Sequence, residues 1–379
     1  MDLVVSRILL LSALTNQSGS GIRFWNIGKE LAQHKHCALL LERSVAKNRK
    51  GENSKLLYRS IHDTGLLWLD ILRATWFNAF HGLRFRPDWV FALKPLPNSC
   101  LPALLLKQIY NCRIILDIDD LDFEYYPEGC KRRSIRASFE RFTPHFDLIT
   151  THNPHLRSFI IDEIGIAPTK IYFLAQGTET DKFTGAYPAQ GYQRRWGLKA
   201  DDKVAIYCAS LGITSDFQYI LPALISLLRQ YDDTKILVIG DGTRRDEFFR
   251  DVEAHGLQER LIFAGYLPHS DMPGVLKLAR VGINYMAPTR ANDCRASIKV
   301  REYLAAGLDV VCNPTGDAEI FKDYVTLCSR IEDFPAAIRR AFQGKNQARI
   351  RAAQQFVETS YSWRPIVKDF LAYMADFSK

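Results

Sequence analysis

No apolar run in this chain of 379 residues approaches the roughly 20 residues that a membrane-spanning helix needs. The eight cysteines (37, 100, 112, 130, 208, 294, 312, 328) include no C-x-x-C pair, which argues against structural zinc and for reduced thiols in a cytosolic setting. Low-complexity tracts are missing too. No helix-turn-helix, finger or RNA-recognition signature accompanies the formal charge of +8, so nucleic acid is not an expected partner. The mild basic bias suits an anionic ligand or an anionic membrane surface instead. Leu3–Leu14 is apolar but short, is interrupted by Arg7 and lacks a small-residue cleavage site, so it reads as a first buried strand. The expected setting is soluble and cytoplasmic, with peripheral attachment at the inner membrane face as an option.

What is present is a repeating pattern. Short, non-alternating apolar runs recur at residues 7–11, 38–41, 89–93, 113–117 and 148–150, then at 204–207, 235–239, 261–264, 281–285 and 310–312, most of them followed by a helical pattern. Such runs indicate parallel sheets covered on both faces. The series pauses around 177–197, where polar, Gly and Pro residues collect. The fold class expected is α/β with two Rossmann-like domains facing across a cleft, 1–190 and 191–360, and a last helix over 361–379. Trp363, Ile366, Phe370 and Met374 fall on one face of that helix, which reads as core. Ligands in such sheets bind at the carboxyl ends of the strands.

Several strand ends carry chemistry. The first runs into Asn16-Gln17-Ser18-Gly19-Ser20-Gly21-Ile22-Arg23, with a helix expected over 24–34. Gly19 and Gly21 let a ligand approach the backbone and expose helix N–H groups to an anion, although an ordinary turn has the same residues. Phe24 departs from G-x-G-x-x-G, so a dinucleotide site is not indicated. Asp117-Ile118-Asp119-Asp120-Leu121-Asp122 closes another strand, and carboxylates so close need a cation, a donor or solvent. Hydroxyl binding, metal binding, acid–base work and a solvated loop all remain open for Asp119 and Asp120. In the second half, Gly240-Asp241-Gly242 and Gly265-Tyr266 end two further strands. Their glycines permit close backbone approach, and Tyr266 either stacks on a base or packs as a half-buried aromatic.

The most informative stretch is Asn292–Val311. Arg295 and Lys299 are four apart and Glu302 three further, so all three can share one helix face. Two cations and a carboxylate suit a nucleotide diphosphate, the cations meeting phosphate and the carboxylate accepting from ribose hydroxyls. A solvated helix with ordinary charge pairs is the other reading. Residues 64–85 are aromatic-rich, with basic residues upstream (Lys47, Arg49, Lys50, Lys55, Arg59) and a second run at Lys131, Arg132, Arg133, Arg136 and Arg141. That is the composition of an interfacial membrane contact, and equally of a buried helix beside solvated charge.

Ser297-Ile298-Lys299-Val300-Arg301-Glu302-Tyr303-Leu304-Ala305-Ala306-Gly307-Leu308-Asp309-Val310-Val311 resembles the S-x-K-x-x-E-Y-x-A-x-G-x-P-V-V pattern of glycosyltransferase family 4, of GT-B architecture. The likeness extends to Gly240–Gly242, Gly265-Tyr266, the Tyr361-Ser362-Trp363 segment and the Ser18–Arg23 glycine loop, nearly the whole chain. The resemblance implies a retaining, nucleotide-sugar-dependent glycosyltransferase without an essential metal, building cell-surface or secreted glycan on a glycan or lipid-linked acceptor. It places Glu302 on the donor ribose and Arg295 and Lys299 near the diphosphate. Gly19 and Gly21 would meet the donor phosphates, and Asp119 and Asp120 would lie beside the reacting sugar as hydroxyl ligands. Departures are visible. Many members carry a glutamate eight residues before the ribose glutamate, where this chain has Cys294 beside Asn292 and Asp293. An Arg/Lys pair common after the first donor-domain strand is replaced by the hydroxyl-rich Ser210-Leu211-Gly212-Ile213-Thr214-Ser215. Asp309 stands where proline is usual. These losses keep two alternatives open: a non-catalytic nucleotide-sugar-binding subunit of a glycan-assembly complex, and a sugar-nucleotide epimerase of the same fold.

Overall fold

The computed structural model describes residues 6–15, 18–34, 36–44, 55–185, 187, 190–212, 215–344 and 347–377. Leu3, Asn16, Gln17, Lys47, Arg49, Lys50, Ile213 and Thr214, named above, lie outside the described residues. The chain forms two compact units, Met1–Gly177 with Trp363–Lys379, and Thr178–Ser362. Among the described residues no helix is long and apolar enough to cross a membrane.

The first unit is built on seven strands: β1 (Arg7–Thr15), β2 (Cys37–Ser44), β3 (Leu57–His62), β4 (Trp89–Leu93), β5 (Arg113–Asp117), β6 (Leu148–Thr151) and β7 (Ile171–Phe173). Their order is β3-β2-β1-β4-β5-β6-β7 and every pairing is parallel. Helices α1 (Gly19–Gln33), α2 (Leu67–Phe85) and α3 (Pro97–Tyr110) follow β1, β3 and β4. Burial on both faces explains why the central strands are continuous apolar runs: Leu9, Leu10, Leu11, Val90, Ala92 and Ile114 are all inaccessible. The last helix, Trp363–Phe377, belongs to this unit, where Trp363, Ile366, Phe370, Leu371 and Met374 join the core with Phe24 and Phe91.

The second unit has six strands: β8 (Lys203–Cys208), β9 (Thr234–Ile239), β10 (Leu261–Gly265), β11 (Val281–Asn284), β12 (Asp309–Cys312) and β13 (Val325–Leu327). The order β10-β9-β8-β11-β12-β13 is again wholly parallel. Residues before 190 already belong here. Thr178 bridges to Ser362, and Phe183 is buried in the same core as Val204 and Leu237. The polar composition of 177–197 marks a linker, but burial of Phe183 moves the physical boundary to Gly177/Thr178.

In both sheets the strand order reverses beside the first strand, between β1 and β4 and between β8 and β11. The carboxyl ends at such a switch diverge, leaving a crevice for ligands.

Candidate functional site

In the second unit the helix Ile298–Ala305 packs on β11 where Gly282 leaves room: a Cβ there would lie 2.5 Å from the Tyr303 ring. The Tyr303 hydroxyl accepts from the N–H of Cys208, the last residue of β8, at 3.0 Å. Burial and the Cys208 thiol hold its phenol well above the ordinary value, so it stays neutral. Ser297, at the N-cap, donates to Asn284 at the end of β11, 3.0 Å away. Arg301 is wholly buried, donates to the Ser297 carbonyl, pairs with Asp317 and stacks between Phe321 and Tyr361. Gly307 stops the helix at φ 81°, a left-handed conformation that disfavours any Cβ. Ser297, Arg301, Tyr303 and Gly307 therefore fix the helix across the β8/β11 switch, leaving Lys299 and Glu302 to present chemistry.

Glu302 is buried and its Oε1 lies 2.7 Å from His269 Nε2. The hydrogen bond to Glu302, working against burial, raises the His269 pKa above its ordinary 6.5. Lys299 is half-buried, and among the described residues its ammonium finds no hydrogen bond or ion pair. Burial first, and the Arg295 charge second, lower its pKa; Asp216 and Glu302 only partly oppose them. A desolvated ammonium beside another cation is a site that gains from a bound anion.

Arg295 departs from the helix-face expectation. The helix begins at Ile298, so Arg295 lies in the turn after Arg290–Asp293 and not on one face with Lys299 and Glu302. It nevertheless stays electrostatically close to Lys299, and its guanidinium donates to Asn292 Oδ1 at 3.1 Å. Asn292 in turn donates to Asp216 at 3.1 Å. Asp216, whose carboxyl is pushed up by burial, tethers this loop to the one after β8. Asp293 is half-buried beside them. Cys294 is only 2 % exposed, so the side chain standing at the family's glutamate position is buried.

The glycines divide into two kinds. A Cβ on Gly240 would meet the Ala209 carbonyl at 1.7 Å, and one on Gly242 the Leu211 backbone at 2.3 Å. Those two are required by the chain's own loop, which Asp241 also holds by accepting from Gly242 N–H through its side chain and from Leu211 N–H through its carbonyl. Gly265 (φ 76°) and Gly19 face open space. Tyr266 is 73 % exposed, which removes the half-buried reading and leaves its ring free to stack. Ser210 is exposed at the end of β8.

In the first unit the glycine turn starts α1 at Gly19, five residues before the expected Phe24, because Ser18 caps it by accepting from Gly21 N–H at 2.9 Å. Gly21 is glycine for packing, since a Cβ would lie 2.5 Å from the Thr15 carbonyl. Arg23, buried in α1, grips Asp117 with two nitrogens at 2.9 and 3.2 Å. Thr150 donates to the same carboxylate at 2.6 Å. The rest of the acidic cluster surrounds a cation that sequence reading overlooked. Lys94, 1 % exposed just beyond β4, sits 2.9 Å from Asp119, 3.5 Å from Asp120 and 2.8 Å from Asp122. Burial works to lower the Lys94 pKa, but these carboxylates raise it well above the ordinary value. Burial, aided by Asp120 and Asp119, pushes Asp122 up to about 6. Burial also opposes ionisation of Asp119, yet Lys94, a hydrogen bond from Ser20 and the charge of His152 hold its pKa down. The signal for Lys94 was there: a lone cation directly after the apolar run Trp89–Leu93, opposite an acidic strand end.

Comparison with known proteins adds three findings. Residues 202–343 match the family model described as Glycosyl transferases group 1. A GDP-mannose-dependent alpha-(1-6)-phosphatidylinositol monomannoside mannosyltransferase of Mycolicibacterium smegmatis is 24% identical over 190 residues, 48% of each chain. The chain spans only 28%, 34% and 48% of the length of the three curated relatives it matches. Among solved structures, a glycosyltransferase from Rickettsia africae superposes with a TM-score of 0.78 at 14% identity, covering 99% of both chains. Anabaena HepE, solved with UDP, superposes with a TM-score of 0.74 at 14% identity over 98% of this chain and 100% of that one. The shared fold is GT-B, two Rossmann-like units.

Proposed function

We propose that this chain, a GT-B fold carrying a glycosyl transferases group 1 domain in its second unit, transfers a sugar from a nucleoside diphosphate sugar to an acceptor hydroxyl with retention of configuration. The observation that carries the reading is the half-buried Lys299 ammonium beside Arg295, unpaired among the described residues and one helical turn from Glu302 at the carboxyl edge of the β8/β11 switch. The diphosphate lies against Lys299 and Arg295. Glu302, released from His269, accepts from the ribose hydroxyls, and the base reaches the Gly265 backbone and the Tyr266 ring. Asp241, Gly240, Gly242, Ser210 and Asp293 frame the same edge.

In the transfer step the bond from the anomeric carbon to the diphosphate breaks and its electron pair stays on the departing oxygen. The acceptor oxygen bonds the same sugar face, and its proton passes to the diphosphate. Negative charge grows on the leaving group, so cations already desolvated gain most in the transition state. Asp119 and Asp120, held by Lys94, act as hydroxyl ligands in the acceptor unit. The step needs no metal, because fixed cations neutralise the leaving group. A lipid-linked acceptor in cell-surface glycan assembly is supported by the mycobacterial relative, whose name states a phosphatidylinositol monomannoside acceptor. Such an acceptor calls for attachment to an anionic membrane face.

A non-catalytic, nucleotide-sugar-binding subunit is the second reading, favoured by the burial of Cys294. A panel of UDP-, GDP- and dTDP-sugars separates the two. Turnover of one donor, lost in Lys299→Met while the protein stays folded, supports transfer. Tight nucleotide binding with no turnover of any donor supports the subunit.

A further inference from the structure

Helix α2 is built inside out. Its buried residues include Asp70, Ala74, Asn78, Ala79 and Gly82, while every exposed residue from Leu66 to Phe80 is apolar. Trp68 (76 % exposed), Leu72, Trp76 (77 % exposed) and Phe80 recur every fourth residue, one line about 18 Å long on the solvent side. The inward polar groups explain why the helix packs this way round. The Asp70 carboxylate accepts from the N–H groups of Thr64 and Gly65, and Asn78 donates to the Asn98 carbonyl at 2.8 Å. The helix is thus held to the unit by these polar contacts together with small and apolar residues, Ala74, Ala79, Gly82 and Phe85, and turns its larger hydrophobic side chains outward. The neighbouring α3 repeats the device, with Leu101, Leu105 and Ile109 exposed on one face, and Tyr110 of α3 donates to the Leu83 carbonyl of α2.

Charge identifies the occupant. Across α2 and α3 the only acidic residue is the buried Asp70; Arg73 lies 3.5 Å from it and Lys107 pairs with Asp147, while Arg84, over the Phe80 ring, and Arg86, just beyond α2, are exposed with no acidic partner among the described residues. A second copy of this chain would set those cations against themselves in a two-fold interface. An anionic lipid surface complements both properties, taking the tryptophans into its interfacial layer and the cations against its headgroups. We infer that the exposed face of α2, with α3 beside it, is a membrane-docking surface for anionic phospholipid. Because α2 leaves β3 and α3 leaves β4 at the strands' carboxyl ends, the N-terminal ends of both helices lie at the sheet edge that carries Asp119 and Lys94. Docking brings that edge to the bilayer. The inference rests on the surface of the first unit and stands apart from the donor chemistry of the second.

The test is flotation of the full chain with vesicles of phosphatidylcholine alone or with about one-third phosphatidylglycerol, at low and high salt, alongside calorimetric UDP and GDP binding. The expected result is binding to anionic vesicles that falls as salt rises, with a blue shift of tryptophan emission. The double variant Trp68→Ser/Trp76→Ser should lose at least tenfold in vesicle affinity, keep its melting temperature and keep its nucleotide binding. Arg73→Gln/Arg84→Gln should lose vesicle affinity mainly at low salt. Three results would overturn the proposal: no flotation of wild type at low salt, equal flotation of the tryptophan variant, or a wild-type dimer that the tryptophan variant converts to monomer. Nucleotide binding is read separately, so failure of docking and failure of the donor site cannot be confused.

Discussion

The two sheet edges treat charge in opposite ways. At the carboxyl edge of the first sheet every named cation is matched: Lys94 is enclosed by three carboxylates, and Arg23 closes on Asp117. At the edge of the second sheet Lys299 is desolvated with no hydrogen-bond or ion-pair partner among the described residues, Gly265 faces open space and Tyr266 stands in solvent. An edge whose four carboxylates are held by two buried cations keeps those carboxylates in fixed positions and suits an uncharged ligand that donates hydroxyls. An edge that carries unmatched positive charge is unfinished until an anion arrives. The division fits an acceptor on one unit and a nucleotide on the other.

Removing the central cation of each edge should break the comparison most sharply. Lys94→Met leaves buried carboxylates without their counter-ion and should destabilise the protein by about 3–5 kcal/mol in urea denaturation at neutral pH. The deficit should shrink in acid, where those carboxylates protonate. Lys299→Met should do the reverse, changing stability by less than about 1 kcal/mol while weakening nucleoside diphosphate binding by about 1.5–3 kcal/mol in calorimetry. Equal stability losses in the two variants would mean that the edges do not differ.

The sequence made one of these edges far more legible than the other. Lys299 and Glu302 could be picked as candidates and placed on one helix because they are local, three residues apart in a recognisable frame. Lys94 could not, because 25 to 28 residues separate it from its carboxylates and only the pairing of β4 with β5 brings them together. His269 escaped for the same reason, 33 residues from Glu302. Arg295 was misplaced by extending helical periodicity through a turn. Among strands, the central ones were readable as apolar runs, whereas β3, β7 and β13 were not. All three lie at sheet edges and are short or half-exposed, so neither a buried run nor a clean alternation announces them.

Glu302 sharpens the comparison within the second unit. Glu302→Ala should weaken nucleotide binding by about 1–3 kcal/mol, since the bond to ribose proposed for it would be charge-assisted. His269 adds a pH signature. Its folded pKa is raised, so the His269–Glu302 pair contributes stability that is fully present below the unfolded value near 6.5 and lost as pH rises through the folded value. Thermal stability of wild type should therefore fall across a window starting near pH 6.5 and extending above it, and His269→Gln should flatten that slope. An unchanged slope would remove His269 from the account. The smallest effect expected is none at all: transfer should survive EDTA, because the Lys94 ammonium already occupies the centre of the Asp119, Asp120 and Asp122 cluster. Complete loss restored by Mn²⁺ would return those carboxylates to a metal-binding role.

The central claim is that the second edge awaits a nucleoside diphosphate. Calorimetric titration of UDP and GDP into wild type and Lys299→Met, each checked for an intact melting transition, tests it most directly. Saturable binding of at least one nucleotide to wild type, reduced at least tenfold in the folded variant, is the result expected. Equal affinity in both proteins, or no binding to either, would contradict the claim.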